Sequence, residues 1–110
     1  MNLNITSLDS FNTEIKKLFK KYRNIAADLK ELKNTLEENP KAGVELGNNC
    51  YKIRLANSSI PTGKSGGFRV IYYYVDKQNN IYLMSIYSKT ELENISDEKL
   101  MQILNSHGLV

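Results

Sequence analysis

The stretch from residue 49 to residue 89 places the strongest constraint on the fold of this 110-residue chain. Its centre, FRVIYYYVD at residues 68–76, is rich in aromatic and β-branched residues and strongly favours a strand. Cys50–Leu55 alternates in the period of two that strands require, and residues 81–88 form a third such run. A turn at residues 76–80 makes an antiparallel hairpin the natural connection.

Two helical patterns precede this sheet. Apolar residues recur at helical spacing over residues 11–22 and again over residues 25–36. Pro40 ends the second pattern, because the residue before a proline is driven out of the α region. Candidate N-caps are Ser7, Asp9 or Ser10 for the first helix and Asn24 for the second. The pattern predicts a helical hairpin, or one bent helix, packed on the sheet.

The remaining segments carry weaker signals. Residues 2–6 alternate briefly and predict a short edge strand, whereas residues 41–49 predict a loop. Thr90 or Ser96 can cap a short final helix that ends near Gly108. We therefore predict one α+β domain over residues 1–110. It has an antiparallel sheet of about four strands, an N-terminal helical hairpin on one face and a short C-terminal helix.

Composition excludes several classes of protein. No apolar run approaches the ~20 residues of a membrane-spanning helix. The first residues lack the basic start and the apolar core of a secretory signal peptide. We therefore expect a cytoplasmic protein without a membrane partner. One cysteine and one histidine exclude an internal disulfide and a zinc site of four nitrogen or sulfur ligands. We expect no metal and no cofactor.

Charge is unevenly distributed along the chain. Residues 41–89 hold seven basic and two acidic side chains, whereas residues 90–110 hold one basic and four acidic ones. A basic middle beside an acidic tail favours a binding site for a polyanion, with the C-terminal segment near it. An ordinary solvated surface is the alternative that charge alone leaves open.

Five basic residues form the candidate phosphate site. Lys52 and Arg54 lie on one face of the same strand, and antiparallel pairing brings the next strands beside them. The full set is Lys52, Arg54, Lys64, Arg69 and Lys89. Such a cluster suits contacts to RNA phosphate, and Tyr87 near its strand end is a candidate for stacking on a base.

Other chemical motifs are weak. Gly63-Lys64-Ser65 lacks the first glycine of a P-loop and leads into a strand, so we reject a nucleotide-binding loop. His107, the only histidine, lies at the C-terminus. Cys50 is better interpreted as a packed residue than as a nucleophile.

In its order of elements the chain resembles the RelE/ParE superfamily of bacterial toxin–antitoxin systems, with RelE or HigB-like members nearest. The resemblance rests on a helical hairpin followed by CYKIRL at residues 50–55, GFRVIYY at residues 67–73 and IYSK at residues 86–89. The resemblance implies a ribosome-dependent endonuclease that cleaves mRNA without a metal ion and thereby inhibits translation. Thr90 stands where the RelE pattern has an arginine, and Ile95-Ser96 where it has a tyrosine.

The resemblance also implies roles and partners. Lys52, Arg54, Arg69 and Lys89 are the implied catalytic residues, and Lys64 is an implied substrate contact beside Tyr87. Lys52 is the candidate base, and Lys89 or Lys64 the candidate acid. A cognate antitoxin, the A site of the small ribosomal subunit and mRNA are the implied partners. A ParE-like gyrase inhibitor and a degenerate antitoxin-binding domain remain as alternatives.

Overall fold

The computed structural model describes residues 3–61 and 66–110. These residues form three α-helices and five β-strands. In chain order they are β1 (Asn4–Ser7), α1 (Asp9–Lys21), α2 (Ile25–Glu38), β2 (Val44–Gly47), β3 (Cys50–Leu55), β4 (Phe68–Val75), β5 (Asn80–Ser88) and α3 (Asp97–Ser106). A short 3-10 helix, Asp76–Gln78, joins β4 to β5. No helix in these ranges is long and apolar enough to cross a membrane.

The strands form one five-stranded sheet in the order β1-β5-β4-β3-β2. Three pairs are antiparallel, as predicted, but β1 runs parallel to β5. The α+β class is confirmed, whereas the predicted strand count was one too low. The missing strand is β2, in residues predicted to be a loop.

A tight turn explains β2. Asn48 and Asn49 both have positive φ, 53° and 63°, and they connect β2 to β3. Two such residues form the hairpin turn whose twist suits antiparallel strands, and asparagine tolerates this conformation well. All four β2 residues are exposed, so no apolar alternation marks the strand in the sequence.

The helices begin and end close to their predicted positions. Helix α1 starts at Asp9, but its N-cap is Leu8, which has no side chain that can cap. Asn24 occupies the N-cap position of α2, as predicted, but its side chain makes no capping hydrogen bond there. Ser96 does cap α3, since its Oγ accepts a hydrogen bond from the Lys99 backbone N–H.

Two hydrophobic clusters enclose the sheet. The helical hairpin α1–α2 covers one face, where Tyr72 and Tyr74 are buried. Helix α3 covers the other face, where its residues Leu100 and Leu104 pack with Tyr73. The three neighbouring tyrosines thus divide between the faces as the alternation predicts. Seven of the eight β4 residues are buried, because β4 lies in the middle of a sheet that is covered on both sides.

A bulge in β5 changes which side chains face α3. Tyr72 pairs with Leu83 and Ile71 pairs with Ser85, so Met84 is an extra residue on β5. An extra residue reverses the alternation that follows it. Consequently Tyr87 lies in the cluster under α3, although it is an even number of residues from Leu83, which faces the hairpin.

Candidate functional site

Three predicted site residues form one row across the sheet. Arg54 on β3 lies opposite Arg69 on β4, and Arg69 lies opposite Tyr87 on β5. The row lies on the face of the sheet that α3 partly covers. Arg54 is exposed, whereas Arg69 is only 6% exposed and Tyr87 only 5%. The row therefore runs from solvent into the protein.

Two arginines in directly opposite positions are unfavourable for the folded state, because like charges on a cross-strand pair repel. Burial lowers the pKa of Arg69, and the positive charge of Arg54 lowers it further, against a smaller opposing effect of Tyr87. Arg69 also donates a hydrogen bond through Nη1 to the Phe68 carbonyl oxygen at 3.2 Å. This pair of guanidinium groups is well suited to an anion with several oxygens.

Lys52 lies two residues before Arg54 on the same strand. It belongs to the neighbouring cross-strand row, where it pairs with Ile71, which in turn pairs with Ser85. Its Nζ donates a hydrogen bond to Asn94 Oδ1 at 3.1 Å. The structure thus brings Lys52, Arg54 and Arg69 to one region of one face, as the alternation predicts.

Residues 89–96, which we call the strap, connect β5 to α3 beside this region. Lys89, the first strap residue, donates through Nζ to the Glu93 carbonyl oxygen at 3.3 Å and lies 4.0 Å from the Glu93 carboxylate. Glu91 forms an exposed ion pair with Lys21 of α1 at 2.6 Å. The strap therefore contacts the basic region through the Lys52–Asn94 hydrogen bond, whereas its carboxylates pair with Lys21 of α1 and with Lys89.

A small pocket lies between the strap and the sheet. It has a volume of about 230 Å³ and is lined by Leu46, Lys52, Tyr87, Asn94, Ile95, Asp97 and Leu100. Burial raises the pKa of Tyr87, and the Ile95 backbone and the Arg69 charge oppose that effect. The Tyr87 hydroxyl is buried, and its hydrogen bond with the Ile95 backbone is not of ideal geometry.

The position of the row depends on a glycine. A Cβ atom added at Gly67 would overlap the carbonyl oxygen of Leu55 on the neighbouring strand. The Gly67 carbonyl oxygen also accepts a hydrogen bond from the Lys89 backbone N–H at 3.0 Å. Gly67 thus lets the ends of β3, β4 and β5 approach closely at the edge where Arg54 and Arg69 stand.

The other sequence candidates lie elsewhere. Lys64 and the rest of its Gly63-Lys64-Ser65 motif fall outside the described residues. Cys50 is buried, and burial raises the pKa of its thiol to about 11, which suits a packed residue. His107 is the C-cap of α3, and its Nδ1 lies 2.9 Å from the Ile103 carbonyl oxygen. Within residues 3–61 and 66–110, no group of three or more His, Cys, Asp or Glu residues is arranged to hold a metal ion.

Sequence reasoning missed Asn94 and Asp97. Both line the strap pocket, and Asn94 accepts the hydrogen bond from Lys52. Neither lies in a strand pattern or a basic cluster, so no periodicity marks them. The one available signal was the acidic charge of the C-terminal segment, which indicated proximity to the basic residues without specifying which side chains meet.

The family model for the RelE toxin of the RelE/RelB toxin–antitoxin system matches residues 11–108. The chain therefore belongs to the RelE toxin family. The match covers all of α2, α1 from Phe11 onward and every residue of the cross-strand row.

Solved structures share the fold. A double-mutant form of the Escherichia coli toxin RelE in the free state is 21% identical, with a TM-score of 0.61 over 96% of this chain and 98% of that one. The toxin in the intact E. coli RelBE toxin–antitoxin complex is 22% identical, with a TM-score of 0.57 over 79% of this chain and 96% of that one. The isolated E. coli RelE toxin is 19% identical, with a TM-score of 0.58 over 96% and 99%. At these identities the likeness shows the fold.

Proposed function

We propose that this toxin is a ribosome-dependent mRNA endonuclease that inhibits translation. The observation that carries the proposal is the direct cross-strand pairing of Arg54 with Arg69, with Lys52 two residues from Arg54 on the same face. Paired guanidinium groups can stabilise the extra negative charge of a phosphorane transition state. Like charges directly opposite each other on neighbouring strands lower stability, so the pair favours a role in binding an anion.

The proposed reaction uses the RNA itself as nucleophile. The 2′-oxygen forms a bond to the adjacent phosphorus while the bond from phosphorus to the 5′-oxygen breaks, leaving a 2′,3′-cyclic phosphate and a 5′-hydroxyl. Lys52 takes the proton of the 2′-hydroxyl, and Lys89 or Lys64 supplies a proton to the leaving oxygen. Arg54 and Arg69 bind the non-bridging oxygens throughout. No metal has a role in this scheme.

The ribosome compensates for the weak acid–base groups of this site by orienting the mRNA. The row contains no histidine, the side chain that most often acts as acid and base near neutral pH. Holding the mRNA in the A site of the small subunit can fix the 2′-oxygen in line with the scissile bond, and orientation of this kind lowers a barrier by several kcal/mol. We therefore expect little cleavage of free RNA.

A cognate antitoxin is the proposed protein partner. In the intact E. coli RelBE complex a RelE-fold toxin is bound to its antitoxin. Here an antitoxin with acidic residues can cover the basic row or displace α3, whose cap and apolar face are its main described attachments. Residues 53–55 of β3 extend beyond β2, and on that side they pair with no other described strand, so this edge can also pair with a partner.

Cells in which expression of the protein is induced without an antitoxin test this function. Cut mRNA with intact DNA supports the endonuclease. DNA damage signals with intact mRNA support a ParE-like gyrase inhibitor. A third outcome, normal growth together with antitoxin binding, identifies a degenerate domain that has kept only its partner. The matched variant Lys77→Ala removes an exposed cation at the opposite end of the β4–β5 hairpin and should behave as the wild type.

A further inference from the structure

The strap holds the end of the Lys52 side chain through one residue, Asn94. The Asn94 Oδ1 accepts a hydrogen bond from the Lys52 Nζ at 3.1 Å. Lys52 is half-buried and Asn94 is exposed. A lysine amine on its long flexible stem samples many positions unless a partner holds it. The contact therefore restricts where the amine lies and which way its N–H bonds point.

The segment that carries Asn94 is attached to the fold on both sides. Before it, the Glu91 carboxylate pairs with the Lys21 ammonium of α1 at 2.6 Å. After it, Ile95 packs in the cluster under α3, and Ser96 caps that helix. The strap thus connects the Asn94 amide to the helical hairpin at one end and to α3 at the other.

The partner of Lys52 is an amide and not a carboxylate, which matters for a lysine that acts as a base. A base needs the neutral amine, whereas a carboxylate partner stabilises the ammonium form. Within residues 3–61 and 66–110, no carboxylate lies within 4.0 Å of the Lys52 Nζ. The amide oxygen of Asn94 accepts an N–H of the neutral amine and leaves the lone pair of the nitrogen available for a proton.

Charged and titratable side chains from several elements surround Lys52. Two carboxylates line the grooves that Lys52 also lines, and the cross-strand row supplies two guanidinium groups and a phenol. These side chains are Glu31 of α2, Asp97 of α3, Arg54 of β3, Arg69 of β4 and Tyr87 of β5. Asn94 is the uncharged member of this environment, and it adds direction to the amine without adding charge.

We propose that Asn94 is a positioning residue that aims the Lys52 amine at the 2′-hydroxyl of the mRNA. The bond from the 2′-oxygen to its hydrogen breaks, and the lone pair of the amine forms the new N–H bond. The resulting ammonium keeps its hydrogen bond to Asn94, which itself neither gains nor loses a proton. This inference rests on the proposed cleavage reaction and specifies how its base is oriented.

A double-mutant cycle, measured as cleavage on ribosomes under single-turnover conditions, tests the role. Asn94→Ala should lower the cleavage rate about threefold to tenfold, as expected for the loss of one hydrogen bond. In the Lys52→Ala background the same substitution should change the slow residual rate less than about twofold, because Asn94 acts through Lys52. Urea denaturation checks that every variant is folded.

A carboxylate at position 94 gives a readout that a structural role would not move. Asn94→Asp keeps an acceptor but adds a negative charge, which favours the ammonium form of Lys52. The acidic limb of the pH–rate profile should therefore move to higher pH by about half a unit, which is the size expected for an exposed ion pair. The matched control Gln102→Glu adds the same charge at an exposed position of α3 outside both grooves, and it should leave the profile unchanged.

Nuclear magnetic resonance of the free protein separates this inference from the proposed reaction. The titration midpoint of the Lys52 Cε signal should rise by about half a unit in Asn94→Asp and stay unchanged in Gln102→Glu. Asn94→Ala should lower the order parameter of the same carbon, since the amine loses the partner that holds it.

Three results overturn the inference: wild-type cleavage by Asn94→Ala, an equal loss in both backgrounds, or a Lys52 signal that responds to neither substitution at position 94. A wild-type protein that never cleaves contradicts the proposed endonuclease, and the Lys52 signal then decides whether Asn94 positions this side chain. A protein that cleaves while its Lys52 signal is insensitive to position 94 contradicts the positioning role alone.

Discussion

Arg54 and Arg69 stand directly opposite each other on β3 and β4, and the more buried of the two, Arg69, is paired with Tyr87 on β5. This relationship places two positive charges on adjacent strands at an edge that Gly67 allows to close tightly. Repulsion within the pair lowers stability but increases attraction for a phosphate. The predictions below separate these two effects.

Arg54→Ala should reduce cleavage without reducing stability. The variant removes an exposed charge that repels Arg69, so the free energy of unfolding should stay within about 0.5 kcal/mol of the wild type or rise slightly. Loss of one guanidinium at the transition state should lower the cleavage rate roughly 100-fold. Urea denaturation and cleavage in a translating extract measure the two effects. A variant that cleaves normally, or that unfolds, contradicts this role.

Gly67→Ala should destabilise the fold through steric overlap with the Leu55 carbonyl oxygen. We expect a loss of about 1–3 kcal/mol in the free energy of unfolding, because the strands must separate to admit the methyl group. Gly108→Ala is the comparison: its added Cβ meets nothing within 4 Å, but its φ of +65° makes alanine strained. That strain costs about 1 kcal/mol. Equal, small losses for both variants would show that the strands do not approach closely at Gly67.

Tyr72→Phe should lower stability while leaving cleavage intact. The Tyr72 hydroxyl donates to the Pro40 carbonyl oxygen at 2.8 Å and accepts from the Gly43 backbone N–H at 3.0 Å. Removing it leaves two backbone groups with a lost partner, at a cost of about 1–3 kcal/mol. Thermal denaturation measures this loss, and the cleavage assay is run well below the melting temperature. A loss of cleavage in folded protein would mean that this side of the sheet takes part in the reaction.

Alkaline pH should destabilise the protein through two buried acids. Burial raises the pKa of Cys50 from 9.0 to about 11 and that of Tyr72 from 10.0 to about 12. Both groups ionise more readily in the unfolded chain, so their contribution to stability is complete below pH 9 and is lost progressively up to about pH 12. Since each tenfold change in an acid constant is worth about 1.4 kcal/mol, each group contributes on the order of 2–3 kcal/mol.

Urea denaturation measured between about pH 8 and pH 12 checks this expectation. Cys50→Ala removes one of the two acids, so its stability should fall less steeply than that of the wild type between about pH 9 and pH 11. Identical slopes for both proteins would show that the Cys50 thiol ionises as freely in the folded state as in the unfolded one.

Most of the fold follows from local patterns in the sequence. The signals were strong in the alternation at residues 50–55, the aromatic and β-branched run at residues 68–75 and the helical spacing before Pro40, because each element buries apolar side chains. Strand β2 was missed because its residues are all exposed, and the signal was instead the pair Asn48-Asn49, whose positive φ closes the hairpin.

The candidate site was only partly predictable, because part of it depends on irregular structure that follows no sequence period. Alternation was enough to place Lys52 and Arg54 on one face, and the cross-strand pairing with Arg69 followed from an antiparallel sheet. The side on which Tyr87 lies depends on the bulge at Met84, because one extra residue reverses the alternation. The contact between Lys52 and Asn94 joins residues 42 positions apart through an irregular strap, which no periodicity describes.

Cleavage of a defined mRNA in a reconstituted translation system tests the central claim most directly. The proteins compared are the wild type, Lys52→Ala, Arg69→Ala and the control Lys77→Ala, each with and without ribosomes. The account predicts 2′,3′-cyclic phosphate ends from the wild type and Lys77→Ala only when ribosomes are present. It predicts rates at least about 100-fold lower for Lys52→Ala and Arg69→Ala, provided that both remain folded. Folded Lys52→Ala and Arg69→Ala proteins that cleave at the wild-type rate would contradict it.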